Sequence, residues 1–218
     1  MIEKQWKKFE WLGLISLFLT LISFATMFAI NFRPLYVWDI HALNILDYTT
    51  LGDKALLENF DQLMQFLNNP FAQTLSLPDF PMSASGIQHF IDVKHLFLLD
   101  YAVLLLTIIP SVYYLRHLNR TARFWKLVRP FQIAMGVPVV FGFFMLMGFD
   151  QFFITFHETF FTNSDWMFDP RTDPIINVLP EAFFMHSFIL FFVLIEALFF
   201  GMVLLGKWSL RPKKETGT

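Results

Sequence analysis

Ser83–Leu115 reads "SASGIQHFIDVKHLFLLDYAVLLLTIIPSVYYL". Its last stretch, 95–115, carries a single charge, Asp100. A helix of that length rises about 30 Å, the thickness of the hydrocarbon layer of a bilayer. Three further windows repeat the pattern: 11–32 and 130–149 hold no charge, and 182–206 holds only Glu196. The chain is 56% hydrophobic, 19% aromatic and only 16% charged, with a mean hydropathy of +0.51. So little polar material cannot clothe a soluble domain. The expected fold class is an α-helical membrane protein, a four-helix transmembrane bundle with a small mixed extracytoplasmic domain.

Cations segregate around these windows. Lys4, Lys7 and Lys8 precede the first; Arg116, Arg120, Arg123, Lys126 and Arg129 sit at or between the second and third; Lys207, Arg211, Lys213 and Lys214 follow the fourth. Positive charge stays on the cytoplasmic side, so both termini are expected there. The domain reading follows: 1–32, cytoplasmic N-terminus and first transmembrane helix; 33–94, an extracytoplasmic subdomain leading into the second helix; 95–149, the second and third helices with a basic cytoplasmic loop; 150–181, an extracytoplasmic loop; 182–218, the fourth helix and a tail, "RPKKETGT", expected to fray. The first window is long for a secretory signal and no small-x-small site follows it, so it reads as a retained anchor. The net charge of −2 says little by itself, and no nucleic-acid partner is expected. With no cysteine, disulfides, thiolate nucleophiles and thiolate zinc sites are excluded.

Within 33–94, "PLYVWDI" is rich in strand formers. Leu56, Phe60, Leu63 and Leu67 fall at helical spacing, with Asn69-Pro70 as a stop, which predicts an amphipathic helix lying on the membrane or on the bundle. Pro78 and Pro81 argue for an extended stretch after it. Ser85 and Gln88 have capping-box spacing, so a continuous helix is expected to start near Gly86 and run into the second window, with His89 in its first turn. Pro180-Glu181 opens the fourth helix.

Polar groups gather at the outer ends of these windows. At about 100° per residue, His89 and Asp100 lie nearly in line and Asp92 about 60° to one side, so one helix face carries an imidazole and two carboxylates. A helix N-terminus lowers an imidazole's pKa and a carboxylate raises it, a balance suited to moving protons. The plainer alternative is that His89 and Asp92 solvate the helix entry and Lys94 anchors at the headgroups. His157 sits in "FHETFF", followed by Asn163, Asp165, Trp166, Asp169, Arg171 and Asp173. Position 161 is Phe, so the metalloprotease H-E-x-x-H fails. Asp165 and Asp173 read as turn formers. Asp100, His186 and Glu196 are costly inside a membrane unless paired or neutralised. Asp100 and His186 are placed to extend the polar site downward, whereas Glu196 reads as a protonated interhelical contact, and His41 and His95 as structural.

Two of these stretches, "HFIDVKHLF" at 89–97 and "FHETFFTNSDWMFDPRTDPIINVLPEAFF" at 156–184, resemble the bacterial lipoprotein intramolecular transacylases, the Lit family. The family's H-[FM]-x-D-V element lands on His89, Phe90, Asp92 and Val93. Its F-H-x-x-F-F-x-N-x-x-W element lands on Phe156, His157, Phe160, Phe161, Asn163 and Trp166. The resemblance covers essentially the whole chain. It implies an acyltransferase that moves the sn-2 acyl chain of a diacylglyceryl-modified N-terminal cysteine to that cysteine's own α-amine, forming the lyso-form lipoprotein at the outer face of a bacterial cell membrane.

Its partners would be the lipoprotein and membrane lipid, with no cofactor or metal and an unspecified oligomeric state. On this resemblance His89 and His157 are the catalytic pair, with Asp92, Asp100, Asn163 and Trp166 in support. Either histidine can be the base. With His157 as base, His89 is positioned by Asp92 and stabilises or protonates the leaving side, Asn163 is an oxyanion or orienting donor, and Trp166 is a wall or interfacial anchor. Readings from other classes are a non-catalytic membrane scaffold or accessory subunit, which predicts unchanged lipoprotein mass on deletion, and an intramembrane metallo-hydrolase, which predicts stoichiometric zinc. A serine hydrolase lacks a G-x-S-x-G elbow, and a transporter lacks paired broken helices.

Overall fold

A computed structural model of the chain describes residues 2–210, and the side chains of 10–210. The expectation for the tail "RPKKETGT" falls outside the described residues, as do the side chains of Lys4, Lys7 and Lys8. Among the described residues eight α-helices follow one another: α1 Ile2–Ile30, α2 Arg33–Ala42, α3 Asp53–Asn68, α4 Ala84–Arg120, α5 Val128–Ala134, α6 Gly136–Met147, α7 Phe149–Phe160 and α8 Glu181–Trp208. Four of the described stretches are long and apolar enough to cross a membrane: Glu10–Ile30, Ala84–Arg120, Phe124–Met147 and Glu181–Trp208.

The chain divides into two compact units. One is built from 1–26, 102–143 and 191–218. Its core is apolar and aromatic, with Leu17, Leu118, Phe131, Ile195, Phe199 and Val203 buried and Phe18 stacked on Phe131 at 4.3 Å. Small residues let helices approach: a Cβ on Gly13 would lie 2.5 Å from the Tyr114 ring, and one on Gly206 only 2.9 Å from the Phe124 carbonyl oxygen. Thr20, Thr107 and Ser111 satisfy one another's hydroxyls between α1 and α4, at 2.9 and 2.8 Å. The third window is not one rod. Pro138 has no N–H to give the Ala134 carbonyl, and the helix breaks at Met135 between α5 and α6.

The other unit comprises 27–101 and 144–190 and holds every residue of the candidate site. Its regular elements are all helices, joined by the irregular stretches 69–83 and 161–173, which corrects the expected mixed domain. "PLYVWDI" forms α2 because Pro34 occupies the first turn, where a missing N–H costs nothing, and Tyr36 and Ile40, four apart, bury one face. Leu56, Phe60, Leu63 and Leu67 of α3 turn into the same core, where Tyr36 stacks on Phe60 at 4.1 Å. Residues 150–160, expected as loop, form α7. Lys94 is buried rather than at a surface: its ammonium donates to the Ala72 carbonyl and lies 4.3 Å from the centre of the Phe66 ring.

Candidate active site

The helix bearing His89 starts two residues earlier than the capping-box reading placed it. Ser83, not Ser85, is the cap: its Oγ accepts from the Gly86 N–H at 3.0 Å. The Gln88 side chain reaches forward to Asp92 instead of back to the cap. His89 therefore lies in the second turn of α4, past the reach of the strongest terminal field. His157 is on α7, one turn before that helix ends at Phe160.

The two imidazoles meet, with ring centroids 5.7 Å apart, and both are buried, at 7% exposure for His89 and 8% for His157. The His157 Nδ1–H donates to the Phe153 carbonyl oxygen at 2.7 Å, which leaves Nε2 as the lone-pair nitrogen. Burial pushes the His157 pKa below its ordinary value, and the Phe153 carbonyl pulls only partly the other way. The ring is thus a neutral base at pH 7. His89 Nδ1 is buried and has no hydrogen-bond partner among the described residues, so it holds a proton-handling atom in reserve.

Aromatic rings enclose the pair. Trp166 stacks on His157 at 4.7 Å, Phe153 packs on it at 4.2 Å, and Phe161 and Phe168 stand edge-on to His89 at 4.9 and 5.5 Å. Such walls exclude water from proton transfer between the rings. Trp166, a candidate from the sequence, thus lies against His157, while Phe153, Phe161 and Phe168 were not singled out from sequence.

Asp92 does not hydrogen-bond to His89. One carboxylate oxygen accepts from Gln88 and the other from Asn163 Nδ2, each at 2.9 Å, so Asp92 fastens the segment after α7 to α4. Asn163 is occupied at both ends, since its Oδ1 accepts from the Asp165 N–H at 3.1 Å. Asp100 lies eleven residues beyond His89 on the same continuous helix, about 16 Å along its axis, and is not brought to the pair. His186 is engaged elsewhere: its Nδ1 lies 2.7 Å from Oδ1 of Asp39, a fully buried carboxylate that nothing in the sequence flagged. Asp173 is not a plain turn former. It is 2% exposed, and its Oδ1 accepts the Ser83 N–H at 2.7 Å. Glu196 Oε2 is buried without a hydrogen-bond partner, so the expected interhelical bond is absent at that atom. Among the described residues no group of three His, Cys, Asp or Glu comes together to hold a metal ion.

Residues 11–184 match the family model "Lipoprotein intramolecular transacylase Lit". The fold is similar to the membrane-integral lipoprotein intramolecular transacylase Lit from Bacillus cereus, with a TM-score of 0.88 and 28% identity over 94% of this chain and 95% of that one. It is similar also to that protein's histidine-to-arginine variant, with a TM-score of 0.80 and 28% identity over 96% and 95% of the two chains. Among curated proteins no match is found.

Proposed function

The chain belongs to the lipoprotein intramolecular transacylase Lit family, and from that premise we propose that it carries the acyl group of a diacylglyceryl-modified N-terminal cysteine from the glycerol sn-2 oxygen to the α-amine of the same cysteine. It is a membrane-integral acyltransferase. The observation that carries the reading is the meeting of two buried imidazoles from separate sequence motifs, 5.7 Å apart.

In the proposed step the amine nitrogen attacks the ester carbonyl carbon and a C–N bond forms. The lost amine proton goes to Nε2 of His157, whose lone pair the Nδ1–H to Phe153 contact leaves open. The tetrahedral oxyanion collapses and the C–O bond to glycerol breaks as the proton taken by His157 passes to His89, which gives one up to the departing oxygen, so both imidazoles end neutral as they began. Atoms and protons balance within one substrate molecule, so no co-reactant is needed. Because amine and ester are already tethered, holding them in an attack geometry supplies much of the acceleration, on the order of 7–11 kcal/mol in favourable cases. Trp166 and Phe168 serve as walls, and Asp92 with Asn163 as the clamp that holds them there. The positive-inside pattern supports a placement with both termini in the cytoplasm and this site at the outer leaflet, where diacylglyceryl chains and peptide meet.

The test is complementation of a bacterium lacking such an enzyme, followed by mass spectrometry of a resident lipoprotein's N-terminal peptide. The wild-type chain is expected to relocate one acyl group to nitrogen at unchanged total mass, and H89A and H157A to abolish that product at equal protein level. Full product from both variants would overturn the assignment.

A further inference from the structure

We propose that Asp173 is a positioning residue for acyl transfer, one that holds the segment 163–173 down across His89 and His157; the proposal rests on the transacylase reading above. Between Ser83 and Asp92 the α4 axis rises about 14 Å. The segment 163–173 runs back along that stretch, because Asn163 is fastened to Asp92 at one end and Asp173 to the Ser83 N–H at the other. Ten residues can reach about 33 Å, so chain length alone does not hold the segment against the helix. The two anchors do. They are unlike: the Asn163 end is exposed, whereas Asp173 is buried, with its second oxygen taken by the Thr172 hydroxyl at 2.7 Å.

What the segment carries is the site's wall. Phe168 packs on both His89 and Phe90 at 5.5 Å, and Trp166 stacks on His157. Gly86 records how closely Asp173 presses. A Cβ there would lie 2.2 Å from Asp173 Oδ1 and 2.9 Å from its Cγ, with only the flexible Met82 Cε next at 3.4 Å. Gly86 and His89 are three residues apart and share a helix face, so this contact sits one turn from the imidazole it helps to set. An ordinary helix cap would affect stability alone; a positioning role predicts a loss in the chemical step.

The experiment measures kcat and KM for a synthetic diacylglyceryl-cysteinyl lipopeptide in membranes, with folded fraction determined for each variant. D173A is expected to lower kcat about a hundredfold with KM little changed, the scale on which an ångström of misplacement acts. D173N, whose Oδ1 still accepts from Ser83 and whose amide can donate to Thr172, is expected to retain kcat within about threefold. G86A should fall as D173A does, and G86A/D173A should be no worse than D173A, because removing the carboxylate removes the clash. Wild-type kcat in D173A, a loss accounted for wholly by folded fraction, or single losses that multiply in the double variant would overturn the proposal. If D173A does not fold, D173N and G86A decide it: an active D173N with an impaired G86A supports it, and full kcat in G86A overturns it. A wild-type chain that leaves the lipopeptide unchanged overturns the transacylase reading itself, and this proposal with it.

Discussion

At the scale of single residues, the base and its surroundings favour the same protonation state. His157 must be neutral to take a proton, and burial favours the neutral form, so its pKa lies below the ordinary value of about 6.5. Two protonations therefore act in turn as the pH falls: the substrate α-amine, neutral when it attacks, titrates near 7.7–8, and His157 only beneath 6.5, so kcat at saturating lipopeptide should fall about tenfold per pH unit below about 7.7 and more steeply below 6.5. W166A, which uncovers one ring face to water, should move that second, steeper limb upward toward 6.5 and lower kcat. A wild-type profile whose second, steeper limb lies at or above 6.5 would remove His157 from the role of buried base. Both histidines were legible in the sequence because each sits in a motif with distinctive spacing. Phe168 and Asp173 were not, since their significance arises from contacts about eighty to ninety residues away along the chain, and an Asp-Pro pair reads locally as a turn.

At the scale of elements, length and hydropathy located the membrane-crossing helices, and Pro180-Glu181 marked the start of α8, but local propensity misjudged the start of α4. α4 starts at Ala84 because Asp173 takes the Ser83 N–H and so fixes Ser83 as the cap; without that distant carboxylate the Ser85 and Gln88 spacing is an equal candidate. α2 replaced a strand once Tyr36 and Ile40 found a helical core to bury in. The end of α4 shows the cost of a missing glycine. Ala122 stands at φ 53°, the left-handed region, while the Arg123 N–H closes back on the Leu118 carbonyl at 2.8 Å. A side chain there is strained, so A122G should stabilise the chain by about 0.5–1 kcal/mol, glycine's added chain entropy offsetting part of the relief. Thermal unfolding in detergent checks this, and a lower midpoint would mean that the helix end draws its stability from elsewhere.

At the scale of the whole molecule, function depends on which side of the membrane the site occupies. The 37 residues of α4, about 55 Å of helix, separate the turn at Asn69–Phe71 from the turn at Thr121–Ala122. If α4 crosses the bilayer, those turns lie on opposite sides. The Thr121 turn is flanked by Arg116, Arg120, Arg123 and Lys126, the last two paired with Glu10 at 3.1 and 2.6 Å, and this cationic cluster argues for the cytoplasmic side. Because the chain has no cysteine, single replacements report their position against a silent background. Phe71 is 87% exposed. F71C should react with a membrane-impermeant maleimide in intact spheroplasts, and T121C only after permeabilisation. Labelling of T121C in the intact state would turn the molecule over. His89 and His157 would then face the cytoplasmic leaflet, away from lipoproteins displayed on the outer one, and two well-placed imidazoles would have no ester within reach.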